Sequence, residues 1–342
     1  MNSIDVLTLC KLAGIGLPKS DPTPVSGGLL HKMYQLKTTN GTFALKRLNP
    51  EIMKRPEALE NYRKAEKITR HLAGEIPAVP SLVVDDNALL EVGGNYHLLF
   101  PWVDGKQVDA SDIDVYHCEA IGGILGIIHK KTGHTIETPS HSHEEIPIHW
   151  VNFVQPGKEA GWGDLLETHL VELEQWTEKA VAARNSLLNG RVLSHRDLDS
   201  KNVLWQASVP VIIDWESAGP IHPVQDVMET AVYWSQSAEA SVDRQKLLSF
   251  VNQYEMVMGK GKRDYKRGLE ASILSKLNWL EYNMKRSLGL IAVSDADRLL
   301  GTEQVTETIL DLARFTRQIP DMVDWLEKDP QEDSTRILSN KE

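Results

Sequence analysis

The stretch that decides the predicted fold is residues 193–216, LSHRDLDSKNVLWQASVPVIIDWE. Its two short apolar runs, residues 203–205 and 211–213, are rich in β-prone side chains, and polar residues with a proline separate them. This pattern is typical of the two strands of a small hairpin. Asn202 would then lie just before one strand and Asp214 just after the other. We therefore expect both side chains to face the same mouth.

The polar residues of this stretch follow a regular spacing, in which His195, Asp197 and Asn202 form H-x-D-x-x-x-x-N. The oxygens of Asn202 and Asp214 suit Mg²⁺, which takes few protein ligands and keeps room for water and phosphate oxygens. Asp197 would be free to accept the proton of a hydroxyl group, which is the division of labour in kinase-type phosphoryl transfer. The alternative is a polar turn beside an ordinary strand end. A lone H-x-D would favour that alternative, but the full spacing favours catalysis.

The segment HRDLDSKN, residues 195–202, resembles the catalytic loop of protein kinases, but IIDWE, residues 212–216, stands where those enzymes have D-F-G. An Asp-Trp pair after an apolar strand resembles instead the aminoglycoside phosphotransferase and choline kinase family of small-molecule kinases. That family usually has Gly where this chain has Arg196, and this one feature favours the protein kinases. Trp215 and the downstream sequence, which lacks the protein-kinase A-P-E segment, favour the small-molecule group.

The resemblance implies an α+β, bilobal protein-kinase-like fold. Residues 1–103 would form an N-terminal nucleotide-binding lobe, made of an antiparallel β-sheet and a helix. Residues 104–342 would form a larger, mainly helical lobe for catalysis and acceptor binding, and a hinge would lie near residues 100–105. The resemblance also implies structural roles for His195 and for Asp226, which would hold the catalytic loop in place.

The sequence between residues 24 and 48 predicts three short strands around an Asn-Gly turn. Ser26, Gly27 and Gly28 break the first strand, and glycine lets a backbone come close to phosphates. Taken alone, the Gly-Gly pair is more often just a turn, and Lys46 is more often a surface lysine. Because a kinase fold needs a phosphate-binding lysine on the third strand, we expect both features to bind the nucleotide.

The helix predicted over residues 57–72 would supply an acidic partner for this lysine. In kinases a glutamate of this helix pairs with the strand lysine and holds it over the phosphates. Glu66 fits this role best by its place in the sequence, and Glu60 is the reserve. We therefore expect an ion pair between Glu66 and Lys46.

Further strands are predicted over residues 82–84, 89–92 and 96–100, and the segment PWVDG follows them. In the resembling family this position links the two lobes, and its backbone binds the purine edge. We expect the carbonyl of Pro101 and the N–H of Val103 to make these bonds, since proline has no N–H.

From residue 113 onward the sequence predicts mostly helix. The predicted helices cover residues 115–131, 164–188, 241–258, 264–288, 302–318 and 321–327. The stretch between residues 135 and 150 is predicted to be a loop. His141 and His143 in this loop lack the partners that a zinc site needs.

The acceptor site of the family involves its C-terminal half, and carboxylates beside aromatic faces would suit an ammonium group. The candidates for acceptor binding all carry an acidic or indole side chain: Asp199, Glu216, Glu229, Trp234, Trp279 and Glu281. For each of them taken singly, a surface acid or a core tryptophan is an equally good interpretation.

The composition is that of an ordinary soluble protein: 342 residues, 41% hydrophobic and 25% charged, enough for two domains. The formal net charge of -11 argues against nucleic acid as a partner and favours a cationic small molecule. Cys10 and Cys118 belong to no metal or redox motif, which indicates a reducing compartment. The sequence has neither the pattern of a signal peptide nor a run of membrane-spanning length, so we expect a cytoplasmic protein without a membrane partner.

These observations predict a kinase that uses Mg²⁺ and transfers the γ-phosphoryl group of ATP or GTP to a hydroxyl of a small molecule. The acceptor could be an aminoglycoside-like antibiotic, which would mean antibiotic resistance, or an amino-alcohol or sugar of metabolism. Two alternatives stay open, namely a catalytically silent nucleotide-binding interaction protein and a protein kinase. Intact Lys46, Asp197, Asn202 and Asp214 argue against the first, and the sequence after residue 212 argues against the second.

Overall fold

The computed structural model describes residues 3–25, 31–133, 148–237, 241–292 and 294–328. The chain is an α+β protein, as predicted, with an antiparallel sheet in its N-terminal part and helices dominating the rest. In these ranges the helices are α1 (Ser3–Leu12), α2 (Pro50–Met53), α3 (Ala58–Leu72), α4 (Val115–Thr132), α5 (Val151–Glu159), α6 (Gly163–Thr168), α7 (Leu170–Ser186), α8 (Pro223–Trp234), α9 (Arg244–Met258), α10 (Tyr265–Ser287) and α11 (Asp295–Glu327). The strands are β1 (Thr23–Val25), β2 (Lys32–Thr38), β3 (Gly41–Arg47), β4 (Leu90–Val92), β5 (Asn95–Pro101), β6 (Val192–Ser194), β7 (Val203–Gln206), β8 (Val209–Ile212) and β9 (Gly219–Ile221).

The N-terminal sheet has the strand order β1-β2-β3-β5-β4, and neighbouring strands are antiparallel. A tight turn joins β2 to β3, with Thr38 facing Gly41 across the hairpin. Gly41 has φ +142, a conformation that side chains with a Cβ rarely adopt, which explains the glycine. Lys46 lies opposite Met33 of β2 and Leu98 of β5. The lysine therefore stands on a central strand that is held from both sides.

An apolar cluster fixes this sheet. It contains Val6 and Leu9 of α1 together with Leu36, Leu45 and Leu99 of three adjacent strands, and all five side chains are buried. Burying a leucine side chain fully stabilises the fold by about 1.5–3 kcal/mol relative to its exposure. The position of β3 thus depends on residues that are far apart in the sequence.

The buried residues of helix α3 recur every three or four positions, so they lie on one face of the helix. These residues are Ala58, Tyr62, Ala65, Glu66, Thr69 and Leu72. Three of them, Tyr62, Glu66 and Thr69, carry polar groups that need hydrogen-bond partners in the interior.

The hairpin predicted within residues 193–216 is present. Strands β7 and β8 pair antiparallel, with Val203 opposite Ile212 and Gln206 opposite Val209. The strand predicted over residues 82–84 is wrong. Val84 forms only an isolated bridge with Asn87, since the turn between them doubles the chain back at once.

The helices that follow residue 113 differ from the prediction in several places. The break predicted between residues 318 and 321 is wrong, because α11 runs through Pro320. Ile319 and Met322 are buried on either side of this proline, so packing maintains the helix despite the missing N–H. Although α11 has 33 residues, no helix in the described ranges is long and apolar enough to cross a membrane.

The single helix predicted over residues 164–188 is instead the pair α6 and α7, which meet at His169. Helix α8 was not predicted, although Pro223 in its first turn is a usual start signal. In the structure the side chain of His222 caps the helix by accepting the N–H of Val224 at 3.2 Å.

The chain divides into two compact units. The first consists of Met1–Asp112, Ile127–Thr132 and Leu193–Pro220, and the second of Ile113–Gly126, Gly133–Val192 and Ile221–Glu342. Residues 193–216 therefore belong to the same unit as the N-terminal sheet. The division into lobes at residue 103 stays a prediction.

Candidate active site

The predicted catalytic loop is tied to the hairpin by His195. Its Nε2 donates to the carbonyl of Ile213 at 3.0 Å, and its Nδ1 accepts the N–H of Asp197 at 3.3 Å. The ring is fully buried, and its centroid lies 4.6 Å from that of Trp215. These contacts support a structural role for His195, because they fix the main chain on both sides of the hairpin mouth.

The carboxylate of Asp197 is held in place by its neighbours in the loop. Nδ2 of Asn202 donates to the main-chain oxygen of Asp197 at 2.7 Å and to its Oδ2 at 3.0 Å. Nζ of Lys201 lies 3.2 Å from Oδ1 of Asp197 and 2.6 Å from Oδ2 of Asp199. Because the side chain of Asp197 is still 38% exposed, its carboxylate is both oriented and accessible.

Burial also affects the charged neighbours of Asp197. It raises the pKa of Asp199 above its usual value, and the hydrogen bond from Lys201 offsets this only in part. Burial would lower the pKa of Lys201, but its hydrogen bond to Asp199 and the charge of Asp197 raise that pKa above its usual value. Lys201 is therefore a firmly protonated cation next to Asp197.

Two residues of the site adopt the left-handed conformation, Arg196 with φ +63 and Asp214 with φ +59. Residues with a Cβ are uncommon there, and the conformation costs on the order of 1 kcal/mol or more. This gives a physical reason why the resembling family usually has Gly at the position of Arg196. At Asp214 the conformation ends β8 and begins a short 3-10 turn, Trp215–Ser217.

Lys46 joins the sheet to the end of the hairpin. Its Nζ lies 2.7 Å from Oδ1 of Asp214 and 2.5 Å from Oε2 of Glu216. Burial would lower the pKa of Lys46, but the charges of the two carboxylates raise it above its usual value. The lysine is thus a buried, charged group with two acidic partners.

Glu216 lies at the centre of a larger network. Besides Lys46, its Oε2 lies 3.1 Å from Nε2 of His31 and 3.5 Å from the hydroxyl of Tyr62. Burial alone would raise the pKa of Glu216, but the hydrogen bond from His31 and the charge of Lys46 lower it to about 2. The side chain is 25% exposed and ionised.

The ion pair expected between Lys46 and Glu66 is not formed, so that part of the prediction is wrong for this structure. Oε2 of Glu66 instead accepts the N–H of Ser81 at 3.0 Å and its hydroxyl at 2.5 Å. Arg70 donates to the carbonyl of the same serine at 2.9 Å. The buried carboxylate of Glu66 thus accepts the hydrogen bonds of Ser81, which follows α3 in the chain. Lys46 pairs with Asp214 and Glu216 instead.

Two oxygens of the site suit a divalent cation. Asn202 uses its amide nitrogen on Asp197, which leaves its Oδ1 as the acceptor atom. The carboxylate of Asp214 is 39% exposed, and Lys46 is its only side-chain partner among the described residues. Mg²⁺ is usually held by one or two protein oxygens, together with water and phosphate oxygens. The donor set therefore fits Mg²⁺, although the described residues contain no group of three His, Cys, Asp or Glu side chains placed for a metal.

Three of the other residues predicted to bind the nucleotide, Ser26, Gly27 and Gly28, lie outside the described residues. Strand β5 ends at Pro101, and the N–H of the following Trp102 donates to the carbonyl of Thr42 at 3.2 Å. The roles of Pro101 and Val103 at the purine edge stay predictions. The predicted loop that contains His141 and His143 lies outside the described residues at both histidines.

The candidates for acceptor binding have different surroundings within their own units. Asp199 and Glu216 are engaged with Lys201 and Lys46 in the first unit. The remaining four residues belong to the second unit, as does Asp226, which is buried in α8.

Within the second unit these residues differ in exposure. Trp234 is fully buried, which is typical of a core side chain and leaves no surface for an acceptor. Trp279 is 41% exposed and stacks on Tyr282, with 5.5 Å between ring centroids. Glu281 is paired with Lys285 at 2.9 Å, and Glu229 is half-buried in α8. Trp279 and Glu281 therefore offer more accessible surface than Trp234.

Three residues of the site were not predicted: His31, Tyr62 and Lys201. Tyr62 precedes Glu66 by four positions, so the period of α3 could have placed it on the same buried face. Lys201 precedes Asn202 inside the catalytic-loop pattern. His31 had no such signal, because its contacts to Glu216 and Tyr62 come from distant parts of the chain.

Known proteins resemble this chain in sequence and in structure. Stress response kinase A of Escherichia coli (strain K12) is 25% identical to it over 235 residues, which cover 66% of this chain and 66% of that protein. The chain thus matches slightly less than two thirds of the length of this relative.

Two solved structures share the fold. A spectinomycin phosphotransferase in complex with ADP and spectinomycin matches with a TM-score of 0.64 and 13% identity, covering 92% of this chain and 99% of that chain. A choline kinase from Cryptosporidium parvum Iowa II matches with a TM-score of 0.58 and 12% identity, covering 94% and 97%. At such identities the likeness concerns the fold alone, and it confirms the predicted protein-kinase-like architecture.

A family model described as the phosphotransferase enzyme family (APH) matches residues 21–255. This match spans more than half of the 342 residues and includes the catalytic loop and the hairpin. It confirms the family predicted from HRDLDSKN and IIDWE. The chain belongs to the phosphotransferase enzyme family.

Proposed function

We propose that this protein is a kinase that transfers the γ-phosphoryl group of ATP or GTP to a hydroxyl group of a small molecule, with Mg²⁺ as the metal. The observation that carries the proposal is the grouping of Lys46, Asp197, Asn202 and Asp214 within one compact unit. The bonds from Asn202 to Asp197 and from Lys46 to Asp214 support it further. The carboxylate of Asp197 is thus hydrogen-bonded directly to Asn202, a candidate metal ligand.

The reaction would proceed by direct transfer. The acceptor oxygen forms a bond to the γ-phosphorus, while the bond from that phosphorus to the β–γ bridging oxygen breaks. The hydroxyl proton passes to the carboxylate of Asp197, which Asn202 holds in place. Lys46 would bind phosphate oxygens through its ammonium group. Mg²⁺, when bound by Asn202 and Asp214, would neutralise charge on the β- and γ-phosphates.

The acceptor that fits best is a small hydroxyl compound with a positive charge. The net charge of -11 favours a cation, and Trp279, which is 41% exposed, offers an aromatic face that suits an ammonium group. An aminoglycoside-like antibiotic would give a role in resistance, whereas an amino-alcohol or sugar would give a metabolic role. Either reaction fits a cytoplasmic protein.

A protein kinase is the second candidate, because HRD with Arg196 is typical of that group. The relative named stress response kinase A does not decide between the two, since it is 25% identical to this chain.

The proposal is tested with the full chain, Mg²⁺ and either ATP or GTP. Aminoglycosides, amino-alcohols, sugars and a generic protein are offered in parallel, and ADP or GDP release is measured together with the phosphorylated product. We expect one class of small molecule to yield a phosphate monoester in equal amount to the released diphosphate. Phosphorylation of the generic protein, but of no small molecule, would indicate a protein kinase. Nucleotide binding without any transfer would indicate a catalytically silent binding protein.

A further inference from the structure

Lys46 on β3 contacts the carboxylates of Asp214 and Glu216, whereas Glu66 on α3 accepts hydrogen bonds from Ser81. We propose that Glu216, held by His31, is the positioning residue that orients Lys46 toward nucleotide phosphates, a role that rests on the proposed function. The two carboxylates that contact Lys46 have unequal surroundings, and Glu66 is engaged elsewhere.

The two acidic partners of Lys46 have different support. Asp214 has no other side-chain partner among the described residues, and its side chain is 39% exposed. A bound metal would be coordinated by the carboxylate of Asp214. Glu216 has two further partners, His31 and Tyr62, and is less exposed. Glu216 is therefore the partner that remains with Lys46 when Asp214 serves the metal.

The ring of His31 connects Glu216 to the main chain near the end of β3. The N–H of Asn49 donates to Nδ1 of His31 at 3.0 Å, so in the neutral ring the proton lies on Nε2. That nitrogen lies 3.1 Å from Oε2 of Glu216 and 2.7 Å from the hydroxyl of Tyr62. His31 is 6% exposed and Tyr62 is 8% exposed. A buried chain of contacts thus runs from Asn49 through His31 to Glu216.

The glutamate of α3 cannot easily replace Glu216. Its carboxylate oxygen already accepts two hydrogen bonds from Ser81, and one of them is a main-chain bond. To reach Lys46, Glu66 would have to leave a buried N–H without a partner, which is costly. The position of Lys46 is therefore set from the end of the hairpin.

The test compares the affinities of ADP and adenosine for variants of the full chain by titration calorimetry with Mg²⁺. Lys46 would contact phosphates only, so loss of its orientation should weaken ADP binding and leave adenosine binding unchanged. We expect Glu216→Gln and His31→Ala to weaken ADP binding by about tenfold or more, because the first removes the charge that attracts Lys46 and the second removes a hydrogen bond to that carboxylate. His31→Gln keeps an N–H for Glu216 and should recover part of the affinity. Glu91→Gln, on the exposed side of β4, is the matched control and should change neither affinity.

The double variant His31→Ala/Glu216→Gln separates positioning from general damage. If His31 acts through Glu216, the double variant should bind ADP no more weakly than Glu216→Gln alone. Additive losses, or equal losses for ADP and adenosine, would overturn the proposal, and so would normal ADP affinity in Glu216→Gln. Circular dichroism of each variant checks the fold, and His31→Gln still tests the idea if His31→Ala unfolds. Because the readout is binding, a failure to transfer phosphate would refute the proposed function without deciding this one.

Discussion

The catalytic loop and the network around Lys46 lie in the same compact unit, but they are built in different ways. In the loop, Asn202 bonds Asp197 five residues away, and His195 bonds Ile213 eighteen residues away. In the network, Lys46 contacts Asp214 across 168 residues, and Tyr62 contacts Glu216 across 154. The first group is closed by short segments, whereas the second exists only when the sheet, α3 and the hairpin come together.

This difference separates two kinds of dependence. A contact between close positions costs little chain entropy to form, so residue spacing almost specifies it. A contact across more than 150 residues depends on every element that positions its two ends. We therefore expect changes in the loop to affect turnover, and changes in the network to affect nucleotide binding and stability as well.

The largest effect is expected for Asp197→Ala. Loss of a general base typically lowers kcat by about 10²–10⁴-fold. Nucleotide affinity and the free energy of unfolding should stay near those of the natural chain, because the side chain of Asp197 is half-exposed and its loop is also held by His195. Steady-state transfer assays and urea unfolding measure both quantities. Near-normal turnover would show that another group takes the proton.

Lys46→Met should change several properties at once. It removes the cation shared by Asp214 and Glu216, and so leaves two carboxylates close together near the interior. We expect ADP affinity to fall and the free energy of unfolding to drop by about 1–3 kcal/mol, since the pair is partly exposed. Calorimetry and urea unfolding test this. Unchanged stability would mean that the network does not help to hold the sheet and the hairpin together.

The pH dependence of stability should reveal a buried histidine in the sheet that carries Lys46. Burial lowers the pKa of His97 below its usual value of 6.5, so the unfolded chain binds more protons than the folded chain as pH falls. The free energy of unfolding should therefore decrease as pH falls below 6.5. For the one proton that His97 takes up, the decrease is at most about 1.4 kcal/mol per pH unit.

Unfolding of the natural chain and of His97→Leu at pH 7.5 and pH 5.0 tests this expectation. The variant should lose less stability between the two pH values. An identical loss in both proteins would show that groups other than His97 govern the acid side.

The smallest effect is expected for Arg196→Gly. Glycine adopts the left-handed conformation of this position without strain but costs more entropy on folding, so a net stabilisation of about 0.5 kcal/mol is expected. Lys106→Gly, at an exposed position without a positive φ, is the control and should destabilise. Thermal unfolding measures both, and destabilisation by Arg196→Gly would show that the arginine side chain has a structural role.

The sequence predicted the local parts of the site well. The hairpin of β7 and β8 follows from two β-prone runs separated by polar residues, and the strand bearing Lys46 follows from short β-prone runs around an Asn-Gly turn. It failed where a distant contact overrides a local signal. Pro320 reads as a helix break, yet the buried residues beside it keep α11 continuous. Glu66 reads as the partner of Lys46, yet Ser81 occupies it.

By itself the sequence determined the class of fold, the family and the loop that carries Asp197 and Asn202, because fixed short spacings place these side chains with little freedom. Only the tertiary structure decided that Lys46 contacts Asp214 and Glu216, and that His31 and Tyr62 support Glu216. The physical reason is that these partners meet through the packing of separate elements. Many carboxylates in the chain could have paired with this lysine, and the position of β3 relative to the hairpin selected two of them.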